Sequence, residues 1–97
     1  MSAVRRERII GRIRAIPEGF VQTYGDIDPS APRLVGRVLA TYESDDLPWH
    51  RVVRSDGSVA KGRRQLTLLR REGVPIHGER VDLRRARLPR ELLSQLL

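Results

Sequence analysis

Cysteine is absent from the 97 residues. That excludes disulfides, thiolate metal sites and a cysteine nucleophile. Histidine is almost as scarce, and His50 and His77 alone cannot build a conventional zinc site without several carboxylates. No metal and no other cofactor is expected. Aromatic residues make up only 4% of the chain within a hydrophobic fraction of 39%, enough for a modest core. No apolar run approaches the roughly 20 residues that would span a bilayer, so no membrane partner is expected. Met1 to Arg14 is charged throughout and lacks the apolar stretch of a signal peptide. The expectation is a cytoplasmic, monomeric chain with a single domain over 1–97, of which 79–97 forms a C-terminal extension.

Charge is what the chain has in excess. The net charge is +7, and Lys61 is the lone lysine among 19 basic residues. From Lys61 to Arg90 ten basic residues face three acidic ones. Such a balance suits a polyanion, because each neutralised phosphate releases condensed counterions. A basic domain from an arginine-rich proteome would look the same by charge alone.

Residues 4–16 carry Val4, Ile9, Ile10, Ile13 and Ile16 at helical spacing, closed by Pro17 and Gly19. Phe20 to Gln22 reads as a short extended link. Thr23 is the expected N-cap of a brief turn, Tyr24 to Ile27, which Pro29 stops. Ser30 is then expected to cap a helix from Ala31 to Tyr42, with Pro32 in its first turn. Leu34, Val35, Val38 and Leu39 form the buried side of that helix, and Arg33, Gly36, Arg37 and Ala40 the opposite one. A mid-helix glycine costs about 0.8–1 kcal/mol relative to alanine. Gly36 therefore implies close approach, either of another protein segment or, between two arginines, of a nucleic-acid backbone.

Trp49 to Arg54 reads as a strand, Ser55-Asp56-Gly57 as its turn, and Ser58 to Ala60 as a possible returning strand. Gln65 to Arg71 is a helix ended by Gly73. Val74 to Arg87 alternates loosely and reads as extended. Pro89 opens a last helix whose Leu92, Leu93, Leu96 and Leu97 form an apolar stripe, expected to pack on the domain. The fold class expected is mainly α with a small β-hairpin, similar to a winged helix-turn-helix.

Pro48-Trp49-His50-Arg51-Val52-Val53 is the most unusual segment. In a strand, Trp49 and His50 would point to opposite faces. A core tryptophan beside a satisfied histidine would fit, as would a binding site in which Glu72 orients His50.

The segment resembles the active-site motif Pro-Cys-His-Arg-Val of the O6-alkylguanine-DNA alkyltransferases, with Trp49 where the acceptor cysteine belongs. Phe20-Val21-Gln22-Thr23-Tyr24-Gly25-Asp26-Ile27 looks like the start of that family's helix-turn-helix. Arg33-Leu34-Val35-Gly36-Arg37-Val38-Leu39 looks like its recognition helix. Ser55-Asp56-Gly57-Ser58 follows at the family spacing, and Leu68-Leu69-Arg70-Arg71-Glu72-Gly73-Val74 matches the helix with the supporting glutamate. The resemblance spans residues 4–78. Only six residues separate Asp26 from Arg33, fewer than the family usually has, so the first helix should shrink to about one turn.

That resemblance implies minor-groove binding to duplex DNA and extrusion of an O6-alkylguanine into a pocket. Tyr24 would crowd the phosphate beside the flipped nucleotide, and Arg33 would replace the missing base. Gly36, Arg37 and Ala40 would line the groove-facing side. Trp49, His50, Arg51, Val52 and Glu72 would form the lesion pocket. The tryptophan version of the motif marks alkyltransferase-like proteins, which bind the lesion without repairing it and flag it for nucleotide excision repair proteins. A nucleoid location when bound to DNA would follow. Two other readings stand beside it: a winged-helix regulator reading sequence, and an enzyme using His50 and Glu72 to remove the alkyl group. A regulator would want a polar recognition helix in the major groove, which Gly36 and Ala40 do not provide. The enzyme would lack both nucleophile and metal.

Overall fold

The computed structural model describes residues 2–89, 91 and 92. Helix α1, Ala3–Arg14, starts at a Ser2 cap and buries Ile9, Ile10 and Ile13, with Ile16 following in the turn beyond it. Val4 stands outside that stripe, 71% exposed in the first turn. Strand β1 is Gln22–Thr23, and helix α2, Tyr24–Ile27, follows without a break. Thr23 caps α2 as expected, in a reciprocal box: its side chain accepts from the Asp26 N–H, and the Asp26 carboxylate accepts from the Thr23 N–H. One turn therefore suffices for the first helix of the pair.

Helix α3, Pro32–Thr41, buries Val35 and Val38. Its start corrects the expected Ser30 cap, because Ala31 is the N-cap and makes no side-chain cap bond. The Ser30 hydroxyl is instead bound to Asp28 Oδ1 at 2.8 Å, and Asp28 is gripped by Arg5. Arg5 and Ser30 hold the Asp28 carboxyl at about 2, below its usual range. Arg12 donates to Ile27 O at 2.7 Å. Two arginines of α1 thus tie down the short link between α2 and α3.

The Trp49–Arg54 strand is also corrected. Trp49–Arg51 forms a 3₁₀ turn, and strand β2 is only Val52–Val53. β2 pairs in parallel with β1, Gln22 opposite Val52 and Thr23 opposite Val53. The pairing ends where β1 turns into α2. Ser58 to Ala60 does not return as a strand. Arg54 N–H closes the turn onto Ser58 O, and Gly57 packs instead against Val81. Gly57 has φ of +85°, and a Cβ there would sit 2.4 Å from Val81 O.

Helix α4, Gly62–Arg71, begins earlier than expected and ends on Gly73 at φ +79°. Gly73 N–H reaches Arg70 O, and Val74 N–H reaches Leu69 O, which closes the last turn. Residues 74–87 are not simply extended. Strands β3, Ile76–His77, and β4, Arg80–Val81, form the hairpin, and helix α5, Leu83–Ala86, follows. Leu92 is 39% exposed, while Leu93, Leu96 and Leu97 lie outside the described residues.

β1 and β2 divide two cores. Val52 joins α1, Ile27, Val35, Val38 and Leu47 on one side. Val21 and Val53 join Leu69, Val74, Val81 and Ala86 on the other. No helix of the described residues is long and apolar enough to cross a membrane.

Candidate nucleic-acid interface

Glu72 sits at the end of α4, where the glycine-terminated turn fixes its backbone. Its carboxylate accepts Arg51 Nε at 3.0 Å and Arg51 Nη2 at 2.6 Å, and lies 3.0 Å from His50 Nε2. Arg51 Nη1 also donates to Ile16 O at 2.8 Å, so one guanidinium joins the turn after α1, the 3₁₀ turn and the C-cap of α4. The three side chains are largely buried. Arg51 above all holds the Glu72 carboxyl below its usual range; burial opposes this, and His50 adds to it. The pairing of Glu72 with His50, expected from the sequence, is present.

Gln65 lies outside the motifs that mark the site in the sequence, yet it sets the backbone of this turn. It is 1% exposed, and its Nε2 donates to both His50 O at 3.0 Å and Val52 O at 2.8 Å. Its Oε1 accepts the Lys61 N–H at 3.1 Å. The available signal was a glutamine on the same α4 face as Leu69, i to i+4. Held this way, Trp49 and His50 do not diverge to opposite faces. Their rings meet edge to face, with centroids 5.9 Å apart at 82°.

Trp49 is half-buried and lines a cleft of about 310 Å³ together with Tyr24, Gly36, Ala40 and Val52. Leu39, Lys61 and Gln65 complete most of its wall. His50, Arg51 and Glu72, grouped with the pocket by sequence, are not part of that wall; they form the ion-paired support beside it. A second cleft, of about 470 Å³, shares Leu39, Trp49 and Lys61 and reaches Tyr42 and Arg64. The Arg64 guanidinium carbon stands 5.4 Å from the Trp49 ring centroid, within cation–π range.

Tyr24 packs against the first core, and its ring lies beside Gly36. Burial pushes its phenol up, against the opposing effect of Arg54. The β1–β2 register accounts for that neighbour, since Tyr24 and Arg54 each follow the paired residues Thr23 and Val53. Arg33, Arg37 and Ala40 are exposed along one side of α3, and Gly36 is half-buried between them. The arrangement is a basic helix face with a shallow centre, opening onto a cleft walled by a tyrosine and a tryptophan. A flat aromatic body could enter that cleft while phosphates met the arginines. Among the described residues, no group of three His, Asp or Glu side chains is placed to hold a metal ion.

The family described as "6-O-methylguanine DNA methyltransferase, DNA binding domain" matches residues 5–74. The DNA base-flipping protein of Escherichia coli (strain K12) is 41% identical over 92 residues, covering 84% of this chain and 71% of that protein. A bifunctional methyltransferase/endonuclease of Picrophilus torridus is 35% identical over 82 residues, 74% of this chain but 28% of that protein. Among solved structures, S. pombe Atl1 in complex with damaged DNA containing O6-carboxymethylguanine matches with a TM-score of 0.79 at 28% identity. That match covers 92% of this chain and 99% of the other.

Proposed function

We propose, from the premise that this chain belongs to the 6-O-methylguanine DNA methyltransferase DNA-binding family as an alkyltransferase-like member, that it senses O6-alkylguanine in duplex DNA without removing the alkyl group. The observation that carries the reading is the cleft that Trp49 and Tyr24 line together with the small residues of α3. α3 would lie in the minor groove, its shallow Gly36 and Ala40 face against the sugar-phosphate backbone. Tyr24 would crowd a phosphate and turn its nucleotide outward, and Arg33 would fill the gap in the stack. Flipping costs a few kcal/mol, least for a damaged base, so the lesion supplies part of its own selectivity.

Transfer of the alkyl group would need a nucleophile at position 49. An indole offers no suitable lone pair, and the sequence has no cysteine to replace it. The Glu72 carboxylate is engaged by Arg51 as well as His50, which suits support of the cleft. The relative named as a methyltransferase is matched over only 28% of its length, so its name does not transfer an activity to this chain. The reading therefore has the chain hold the flipped lesion as a monomeric unit over 1–97 and present it to nucleotide excision repair proteins in the cytoplasm. A regulator that reads sequence finds less support, because α3 presents Gly36 between its two arginines and Ala40 one turn further on.

The test is a comparison of matched duplexes, one with guanine and one with a single O6-methylguanine. The methylated duplex is expected to bind more tightly at every salt concentration, both affinities falling as salt rises. Equal affinities throughout would reduce the chain to a general DNA binder.

A further inference from the structure

The family match ends at residue 74, yet the chain beyond it returns to the helix that bears Tyr24. Val21 N–H donates to Ala86 O at 2.9 Å, and Leu88 N–H donates to Val21 O at 2.9 Å. Val21 and Arg87 form a parallel bridge between them. Arg87 reaches Asp26 from there, and the carboxylate accepts from Arg87 Nε at 2.9 Å and from Nη2. The same carboxylate accepts the Thr23 N–H at 3.0 Å, as half of the capping box. Asp26 is thus shared between the start of α2 and the returning chain.

Tyr24 is the first residue of α2, which is four residues long. A helix of one turn gains little from its own hydrogen bonds, because nucleation fixes several residues for each bond made. Its orientation must come from outside. On the core side it has Ile27 and the bond from Arg12. On the side facing Leu83 to Pro89, where a groove of about 740 Å³ remains open, the direct bond to its side chains comes from Arg87.

We propose that Arg87 is a positioning residue for nucleotide rotation: by gripping Asp26 it fixes the start of α2 and so aims the Tyr24 ring. This rests on the reading of Tyr24 as the residue that turns the nucleotide. Its consequence is that residues beyond the family match contribute to lesion selectivity without touching DNA. Arg87 already has an anionic partner, so it does not count among the charges that neutralise phosphates. A direct phosphate contact and a positioning role therefore leave different marks.

The experiment measures the ratio of affinities for methylated and unmethylated duplex, and the salt slope on unmethylated duplex, with the full chain. Partial unfolding of a variant lowers both affinities alike and cancels in the ratio. Arg87→Ala is expected to lower the ratio about two- to fivefold, the range open to a partly exposed ion pair, with the salt slope unchanged. Arg87→Lys should restore part of the loss. Asp26→Asn keeps a capping acceptor but weakens the grip, and adding it to Arg87→Ala should lower the ratio no further. Arg84→Ala removes the same charge from the same groove and should leave the ratio intact. An unchanged ratio in Arg87→Ala overturns the proposal, as does a salt slope lower by about 0.9, the mark of a lost phosphate contact. Tyr24→Ala, measured alongside, separates the two failures. If it too leaves the ratio intact, the reading of Tyr24 falls and the role of Arg87 with it. If it lowers the ratio where Arg87→Ala does not, only the role of Arg87 falls.

Discussion

Arg51 binds Glu72 through two nitrogens, at 3.0 and 2.6 Å, while anchoring the turn after α1 through Ile16 O. Glu72 thereby braces the turn that carries Trp49. Glu72→Gln would leave a largely buried guanidinium without its anion and should cost about 2–3 kcal/mol of stability. The Glu72 carboxyl lies below its ordinary range in the folded protein. Its contribution is therefore fully present above about pH 5 and is lost as pH falls through the folded value. Denaturant unfolding from pH 7 downward should show the gap between wild type and Glu72→Gln closing in acid. A gap that stayed constant to about pH 3 would contradict this role.

Gly36 gives a prediction with two opposite signs. A methyl there would meet Tyr24 Cε2 at 3.8 Å, an ordinary contact. Gly36→Ala should therefore stabilise the free protein, by up to about 0.8–1 kcal/mol, through helix propensity alone. The same methyl would project from the cleft wall on the α3 face expected to approach DNA, and affinity should fall. Thermal melting and a DNA titration on one preparation check both. Unchanged affinity would mean that DNA does not approach this face closely.

Tyr24 and Arg33 should govern selectivity beyond charge. Tyr24→Ala and Arg33→Ala are each expected to lower the preference for methylated duplex as well as overall affinity. Arg84→Ala should at most weaken both duplexes evenly. If Arg33→Ala left the preference untouched, Arg33 would be one phosphate contact among several.

Much of this was legible in the sequence where a few neighbouring residues decide the structure. Thr23 before a brief helix, Gly73 after a longer one and the one-turn length of α2 all depend on local chemistry. The His50–Glu72 pairing was legible through the family motif. What failed depended on distant partners. The Trp49 strand became a 3₁₀ turn because Gln65, 15 residues from His50, binds the turn's carbonyls and β1 offers only two residues to pair with. Ser30 lost its capping role to Asp28, which Arg5 holds from α1. The hairpin lies at 76–81, after the family motifs, where Val81 packs on Gly57. Arg87 gave no local sign, because its partner Asp26 is 61 residues away.

Alkyl transfer should not occur. With excess protein and methylated duplex, the lesion should remain in the DNA and the protein mass should stay constant. A peptide carrying the methyl group would overturn the non-enzymatic reading.

Trp49 is the one tryptophan in the sequence, and it walls the cleft beside Tyr24. Intrinsic fluorescence therefore reports directly on whether a flipped base enters. Stacking of a base on an aromatic side chain is worth about 1–3 kcal/mol and alters indole emission. Titrating methylated duplex into the wild-type protein should give a saturable change in emission, larger than guanine duplex gives at equal saturation. Identical changes with the two duplexes, or none with either once binding is confirmed by anisotropy, would contradict lesion capture against Trp49.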